Sequence, residues 1–238
     1  MTTDTTLNAA DAVFEAEQAV SRACWVVEEL QETVASALRV LDDAELDSAK
    51  AKLSERGSFY LEAAGEHLGR LRTRCKDMPD LTRDLFAHLH RASQSVTDAR
   101  TLLDLADTSD PAIASEIAQL KPRIAVVGEM VALAKPVAQL AAQHVETAHQ
   151  ASRDVTALGL LEPVSLERSI ATAGKELGRA DEDVRLLGNI VDHAEASARE
   201  SAGIASEITD SARRRMSERS RDPIPSASSL PTPRSPSR

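Results

Sequence analysis

Residues 5–77 contain no proline, and their apolar residues recur every three or four positions. This spacing places apolar side chains on one face of an α-helix, and it returns in every later segment up to about residue 215. No segment shows the strict alternation of apolar and polar residues that marks a half-buried strand. The pattern therefore predicts an all-α protein, an antiparallel bundle of about five long helices.

Aromatic residues are scarce in this chain of 238 residues, which contains only Phe14, Trp25, Phe59, Tyr60 and Phe86. Alanine, valine and leucine must therefore fill the interior, and such small side chains let helices approach closely. We expect a slender, elongated bundle. Because enzymes usually need concave walls and groups borne on loops, this composition favours a protein without catalytic residues or a cofactor.

The first predicted helix, residues 6–41, carries a regular heptad pattern of apolar residues. Its core positions are Val13, Val20, Val27, Val34 and Leu41, alternating with Ala16, Ala23, Leu30 and Ala37. The next apolar row is rotated by about a third of a turn at 100° per residue, and consists of Leu46, Ala49, Leu53, Tyr60, Ala64, Leu68 and Leu71. Asp42 and Glu45 also have the spacing of a capping box, so we expect a turn at residues 42–44. The alternative is one continuous helix through residue 75.

Later helix boundaries are marked by prolines and capping residues. The second helix is predicted to end near Cys75, and the third to cover about residues 80–106. Asp110 followed by Pro111 predicts the start of a fourth helix that reaches about residue 157, with a kink or break at Pro122. Ser165 is expected to cap the fifth helix. Residues expected to face inward are Leu85, Leu89, Ala92, Val96, Ala99 and Leu103 in the third helix, Ile113, Ile117, Leu120, Ile124, Val127, Leu133, Val137 and Val145 in the fourth, and Leu166, Ile170, Leu177, Val184, Leu187, Val191, Ala194, Ile204 and Ile208 in the fifth.

Charge is distributed unevenly along the chain. Residues 213–238 contain seven arginines against two acidic residues, so they carry +5 of a total net charge of −10 and leave −15 on the remainder. Such an acidic body repels phosphate backbones, and we expect no nucleic-acid binding through the bundle. The region rich in proline, serine and arginine at residues 217–238 is expected to be a disordered tail that follows a bundle of residues 1–216.

The location of the protein is predicted from what its sequence lacks. The first residues show no basic start with a continuous apolar run, and we expect no segment long and apolar enough to span a bilayer. Cys24 and Cys75 are too few for a disulfide framework and are expected to be free thiols. These features favour a cytoplasmic protein. The excess of arginine over lysine, together with abundant alanine, favours a bacterial source.

Histidines provide few candidates for a metal or catalytic site. Glu146 and His149 form a Glu-x-x-His pair, with His144 nearby, and helical di-iron proteins use this spacing. Those proteins need the motif on two helices, and it occurs once here. His67 lacks the sequence context of a phosphotransfer histidine. We therefore expect no metal site, while a helical-bundle metal protein or enzyme that uses the Glu146/His149 face stays open as an alternative.

A second apolar stripe occurs on the first helix. Leu7, Phe14 and Trp25 lie within about 20° of one another on a helical wheel, on the side away from the heptad seam. Tryptophan and phenylalanine are favoured at interfaces, so these three residues are the candidate surface for a protein partner or for self-association. The alternative is that the helix lies between neighbours in its own chain, with both stripes internal.

Taken with the lack of catalytic motifs, these features favour a non-enzymatic cytoplasmic scaffold or protein-interaction protein. A secreted helical effector or chaperone of a bacterial secretion system is the second alternative. Small helical substrates of type VII secretion carry Trp-x-Gly and Tyr-x-x-x-Asp/Glu. Here Val27 stands two residues after Trp25, and Ala64 stands four after Tyr60, so both marks are absent.

Overall fold

The computed structural model describes residues 2–106, 108–157 and 163–219. These residues form five α-helices and no strand, which confirms the predicted all-α bundle. The helices are α1 (Thr2–Leu53), α2 (Gly57–Cys75), α3 (Met78–Leu105), α4 (Pro111–Ala157) and α5 (Pro163–Arg219). The predicted tail lies outside the described residues from position 220 onward.

Two of the helices, α2 and α3, lie end to end along a single partner. The α2 helix packs against the second half of α1, where His67 Nε2 lies 3.5 Å from Asp47 Oδ2. The α3 helix packs against the first half of α1, where the Ser95 hydroxyl donates to Glu15 Oε2 at 3.5 Å. Residue numbers rise on α1 as they fall on α2 and α3, so both helices run antiparallel to α1.

The α4 and α5 helices complete a bundle of four rods. The α5 helix runs antiparallel to α1, where the Ser21 hydroxyl donates to Glu195 Oε1 at 2.8 Å. The α4 helix runs antiparallel to α5, to which it is joined by an ion pair between Arg123 and Glu200, and its other side packs against α2 and α3. At 1.5 Å per residue, the 52 residues of α1 span about 78 Å. The bundle is therefore elongated, and α1 and α4 lie on its diagonal.

The heptad seam predicted for the first helix forms the core side of α1. All nine of its residues are at most 2% exposed. The inward positions predicted for α3 are confirmed in the same way, since each of the six is at most 3% exposed. Alanine and valine occupy many core positions, so the rods pack closely around a thin interior.

The turn expected at residues 42–44 is wrong. The α1 helix continues through these residues, because Ala44 and Ser48, which are 0% and 6% exposed, extend the heptad seam beyond Leu41. The part of the rotated row that lies on α1 faces solvent, with Leu46 55% and Leu53 90% exposed, while its α2 members Ala64, Leu68 and Leu71 are buried. Because Ala44 and Ser48 have small side chains, the apolar periodicity of the sequence does not reveal that the seam continues.

The reversal between α1 and α2 lies at residues 54–56, so a continuous helix through residue 75 is also wrong. Gly57 permits this turn, because a Cβ atom at that position would lie 2.8 Å from the backbone oxygen of Ala51. Only a residue without a side chain fits so close an approach without a shift of the backbone.

The predicted start of the fourth helix is confirmed, but the break at Pro122 is not found. Asp110 Oδ1 accepts a hydrogen bond from the Ala112 backbone N–H at 2.7 Å, which is the geometry of an N-cap. The α4 helix runs through both Pro122 and Pro136. Both prolines are exposed, so water can reach the carbonyl groups that lose their helical partners. At the start of α5, Ser165 lies inside the helix, which begins two residues earlier.

Three residues predicted to face inward lie outside the core. Leu133 is 53% exposed, and Val137 and Ile204 are partly buried. The neighbouring alanines at positions 134, 138 and 205 take the core positions, each at most 1% exposed. The other inward positions predicted for α4 and α5 are buried. Large apolar side chains therefore stand outside this part of the bundle while alanines fill its interior.

We expect two leucine substitutions on α4 to separate core from surface. Leu120→Ala removes a side chain that is 0% exposed and should lower the free energy of unfolding by about 2–5 kcal/mol through loss of burial and formation of a cavity. Leu133→Ala should change it by about 0.5 kcal/mol or less, because that residue lies on the surface. Urea unfolding measures both. Equal losses would show that Leu133 is internal.

Candidate functional site

The three residues of the predicted partner stripe on α1 differ in their exposure. Trp25 is 64% exposed, while Phe14 is partly buried and packs against the core, and Leu7 is partly buried. Only Trp25 therefore presents most of its side chain to solvent. Arg22 and Glu28, within a turn of Trp25 on the same helix, are also exposed.

A second group of exposed apolar residues lies along the groove between α4 and α5. Its exposed members are Val126 at 41%, Leu133 at 53%, Leu140 at 47% and Leu186 at 51%. The partly buried members Met130, Val137 and Ile190 pack against the core beneath them. We call these seven residues the apolar face. Val126, Leu133 and Leu140 are seven residues apart, so they line one side of α4.

Polar contacts close the apolar face at both ends. The Arg123–Glu200 ion pair lies at one end, and at the other His144 Nδ1 lies 2.9 Å from Asp183 Oδ2. At 1.5 Å per residue, positions 123 and 144 of α4 are about 31 Å apart. Residues 124–145 contain only two charged residues, Glu129 and Lys135. The α4 side of the groove is therefore long and nearly uncharged, whereas the facing stretch of α5, residues 184–199, includes Arg185, Asp192, Glu195 and Arg199.

This composition makes α4 the one helix in the described part of the chain that is long and apolar enough to cross a bilayer. The stretch Pro111–Arg153 has a mean hydropathy of 1.5 in its most apolar window, of which 33% is buried. The expectation that no segment approaches this length and composition is therefore wrong for α4. The core helix of a soluble protein can have the same composition.

The histidines of the alternative metal site do not come together in the described part of the chain. Glu146 is exposed and His149 is partly buried, while His144 lies between Asp183 and Glu176 of α5. In the residues that the structure describes, no three histidine, cysteine, aspartate or glutamate side chains group as a metal site requires. The metal-protein alternative therefore gains no support from this part of the chain.

A basic cavity lies where α2 meets α4. Its volume is about 340 Å³, and it is lined by Gly69, Arg72, Thr73, Lys76, His149 and Arg153. It lies beside the interruption between α2 and α3 at residues 76–77. On the other side of α2, Arg74 and Arg39 line a larger, more open groove against α1. Basic side chains thus surround the end of α2.

Neither the apolar face nor the basic cavity was identified from the sequence. The spacing of Val126, Leu133 and Leu140 was a signal for the face, but Leu133 was assigned to the core. The stretch 69–76, with four basic residues and no acidic one, was a signal for the cavity. Nothing in the sequence near residues 69–76 indicates that Arg153 lines the same cavity, because Arg153 is 77 positions beyond Lys76.

Comparisons of the chain with protein-family models, curated proteins and solved structures find no match.

The two cysteines are free and buried, as the sequence predicted. Burial raises the pKa of the Cys24 thiol to about 12, with further contributions from Glu195 and Asp192, and the thiol donates to Asp192 Oδ1 at 3.7 Å. Burial alone raises the pKa of the Cys75 thiol to about 12. Both groups are therefore neutral thiols at physiological pH.

We expect both cysteines to react slowly with a thiol reagent at pH 8. A thiol with a pKa of about 12 has about a thousandth of the thiolate of an ordinary one at that pH. Ellman's reagent should therefore titrate two thiols rapidly in guanidinium chloride and neither rapidly in the native protein. A rapid native equivalent would contradict the burial of that cysteine.

The exposure of Trp25 predicts its fluorescence. As the single tryptophan, it should show red-shifted emission that iodide quenches readily. Trp25→Ala should change the free energy of unfolding by about 0.5 kcal/mol or less, because an exposed ring contributes little to folding. Phe14→Ala, at a partly buried position, should cost more and is the comparison. Blue-shifted emission would contradict the exposed placement.

Proposed function

We propose that this protein is a non-enzymatic cytoplasmic interaction protein that docks a helix of a partner protein on the apolar face. The observation that carries the proposal is that part of α4 has large apolar residues outside the core and alanines inside it. Leu133 is exposed and Val137 only partly buried, while Ala134 and Ala138 lie in the core. Folding alone favours the opposite arrangement, because burying a leucine side chain contributes roughly 1.5–3 kcal/mol.

The apolar face also forms a continuous surface rather than scattered exposed side chains. Single exposed apolar residues are ordinary on protein surfaces, whereas a contiguous patch marks an interaction site. The face joins residues of two neighbouring helices, with Leu186 of α5 added to the row on α4. Its partly buried floor forms a shallow groove in which the side chains of a partner helix can insert.

The dimensions and charge of the surface define the partner. A length of about 31 Å corresponds to about 21 residues of helix, or three heptads. The exposed residues at intervals of seven match a partner helix with its own apolar seam. Because the body of the protein carries a net charge of −15, a partner helix with basic flanks is attracted and a second copy of this chain is repelled.

The stripe of Leu7, Phe14 and Trp25 is retained in this proposal as a separate contact surface. Trp25 is its exposed anchor, and it lies on α1, diagonally across the bundle from α4. One helix on the apolar face does not reach it. The two free thiols agree with a reducing compartment, which supports the cytoplasmic location. The secreted-effector alternative is favoured by no observation on the described residues.

A photo-crosslinking experiment tests the apolar face. A benzoylphenylalanine residue at position 133 should crosslink to a partner protein in the host cell, and mass spectrometry should map the crosslink to a helical segment with an apolar heptad. A benzoylphenylalanine at position 46 is the matched control, because Leu46 is 55% exposed on a different rod. Equal crosslinking from both positions would contradict the proposal.

An affinity measurement then distinguishes specific binding of the mapped segment from crosslinking to a protein that is merely nearby. The mapped segment should bind the purified protein, and Leu133→Asp should weaken its binding by about thirtyfold or more, as expected for a central apolar anchor. Leu46→Asp should leave binding unchanged. Crosslinking only between copies of this chain, or flotation of the protein with lipid vesicles that Leu133→Asp abolishes, would overturn the proposal in favour of self-association or membrane binding.

A further inference from the structure

We infer that the basic cavity is a binding site for a small phosphate-type oxyanion. Its cationic side chains come from two separate rods, Arg72 and Lys76 from the α2 end and Arg153 from α4. Guanidinium groups bind phosphate through paired hydrogen bonds, and an ammonium group adds a compact positive charge. A cavity of about 340 Å³ fits inorganic phosphate or a small phosphomonoester.

The concentration of positive charge is unusual for this protein. Residues 69–76 carry four basic side chains and no acidic one, in a chain whose body has a net charge of −15. Arg153 adds a further basic side chain to the same cavity from α4. Arg72 and Arg153 each make other interactions, but an arginine has five N–H donors, so each can also serve an anion.

His149 adds a polar group from α4. Its Nδ1 atom is buried and has no hydrogen-bond partner among the described residues. When this nitrogen carries the ring proton, it is a donor from which a bound oxyanion can accept a hydrogen bond. Thr73 has a different role, because its hydroxyl already donates to the Gly69 backbone oxygen at 3.1 Å.

Stabilisation of the partial negative charge at the carboxyl end of α2 explains only part of this arrangement. Basic residues in a last helical turn interact favourably with the partial negative charge there, and Arg72 and Arg74 occupy that turn. Arg153 and His149 belong to another helix, so this effect does not account for their presence in the cavity. An anion contacts both rods, and therefore accounts for the whole set.

Gly69 allows the cavity to be closed without disturbing the fold. A Cβ atom at this position would meet no atom within 4 Å. Glycine inside a helix is also less favourable than leucine by up to about 1 kcal/mol. Gly69→Leu should therefore fill the cavity while leaving the helix as stable as before, or more so.

Isothermal titration calorimetry of the full chain at constant ionic strength tests the inference, with inorganic phosphate and glycerol 3-phosphate as separate titrants. We expect saturable binding of one anion per chain, and tighter binding of glycerol 3-phosphate would identify an organic phosphate as the ligand source. Arg72→Gln and Arg153→Gln should each weaken binding about tenfold or more, because each removes a charged hydrogen-bond donor.

Two further variants make the result decisive. Arg70→Gln is the matched control, since Arg70 is exposed like Arg72 but does not line the cavity and pairs with Glu66 at 3.9 Å, and it should leave binding unchanged. Gly69→Leu should abolish binding while the thermal midpoint in chloride stays equal or rises. Absence of saturable binding to the wild type, or equal weakening by Arg70→Gln, would overturn the inference and leave the cations with a role at the helix end only.

Discussion

The bundle depends on an apolar seam that keeps a spacing of three and four residues along every rod. The seam crosses the interruption between α2 and α3 without a change of phase. Its buried positions there are Ala64, Leu68, Leu71, Cys75, Met78, Thr82 and Leu85. Because the heptad phase is preserved, two helices separated by residues 76–77 pack along α1 as one rod. The antiparallel order of the four rods and the elongated shape follow from that continuity.

A seam rich in alanine limits how much apolar area each rod can bury. Close approach of the helices increases contact between their backbones, but alanine contributes less burial than leucine. The sequence nevertheless places Leu133 and Leu140 outside, where they add little to folding. This combination separates two roles for apolar residues on this part of α4, since small ones pack in the core and large ones form the surface on which we propose that a partner helix docks.

The interruption between α2 and α3 lies beside a basic region of the bundle, which includes Arg72, Lys76 and Arg153. Small residues occupy the core beside it, with Ala37, Cys75 and Ala148 all 0% exposed. Short side chains and a broken helix leave room for cavities on both sides of α2. The basic side chains and the cavities therefore lie at the same place, where the helix is interrupted but the apolar seam continues.

The sequence by itself determined the helical class, the α1 seam, the end of α2 at Cys75 and the start of α4 after Asp110, because these depend on local spacing and capping. Tertiary structure decided which of two adjacent rows on α4 faces inward. Leu133 and Ala134 differ by one position, and a helix can bury either row until its neighbours are placed. The same reason explains the missed continuation of α1 through Ala44 and Ser48, whose small side chains give a weak periodic signal. The basic cavity required packing as well, since only the antiparallel pairing of α2 and α4 brings Lys76 and Arg153 together.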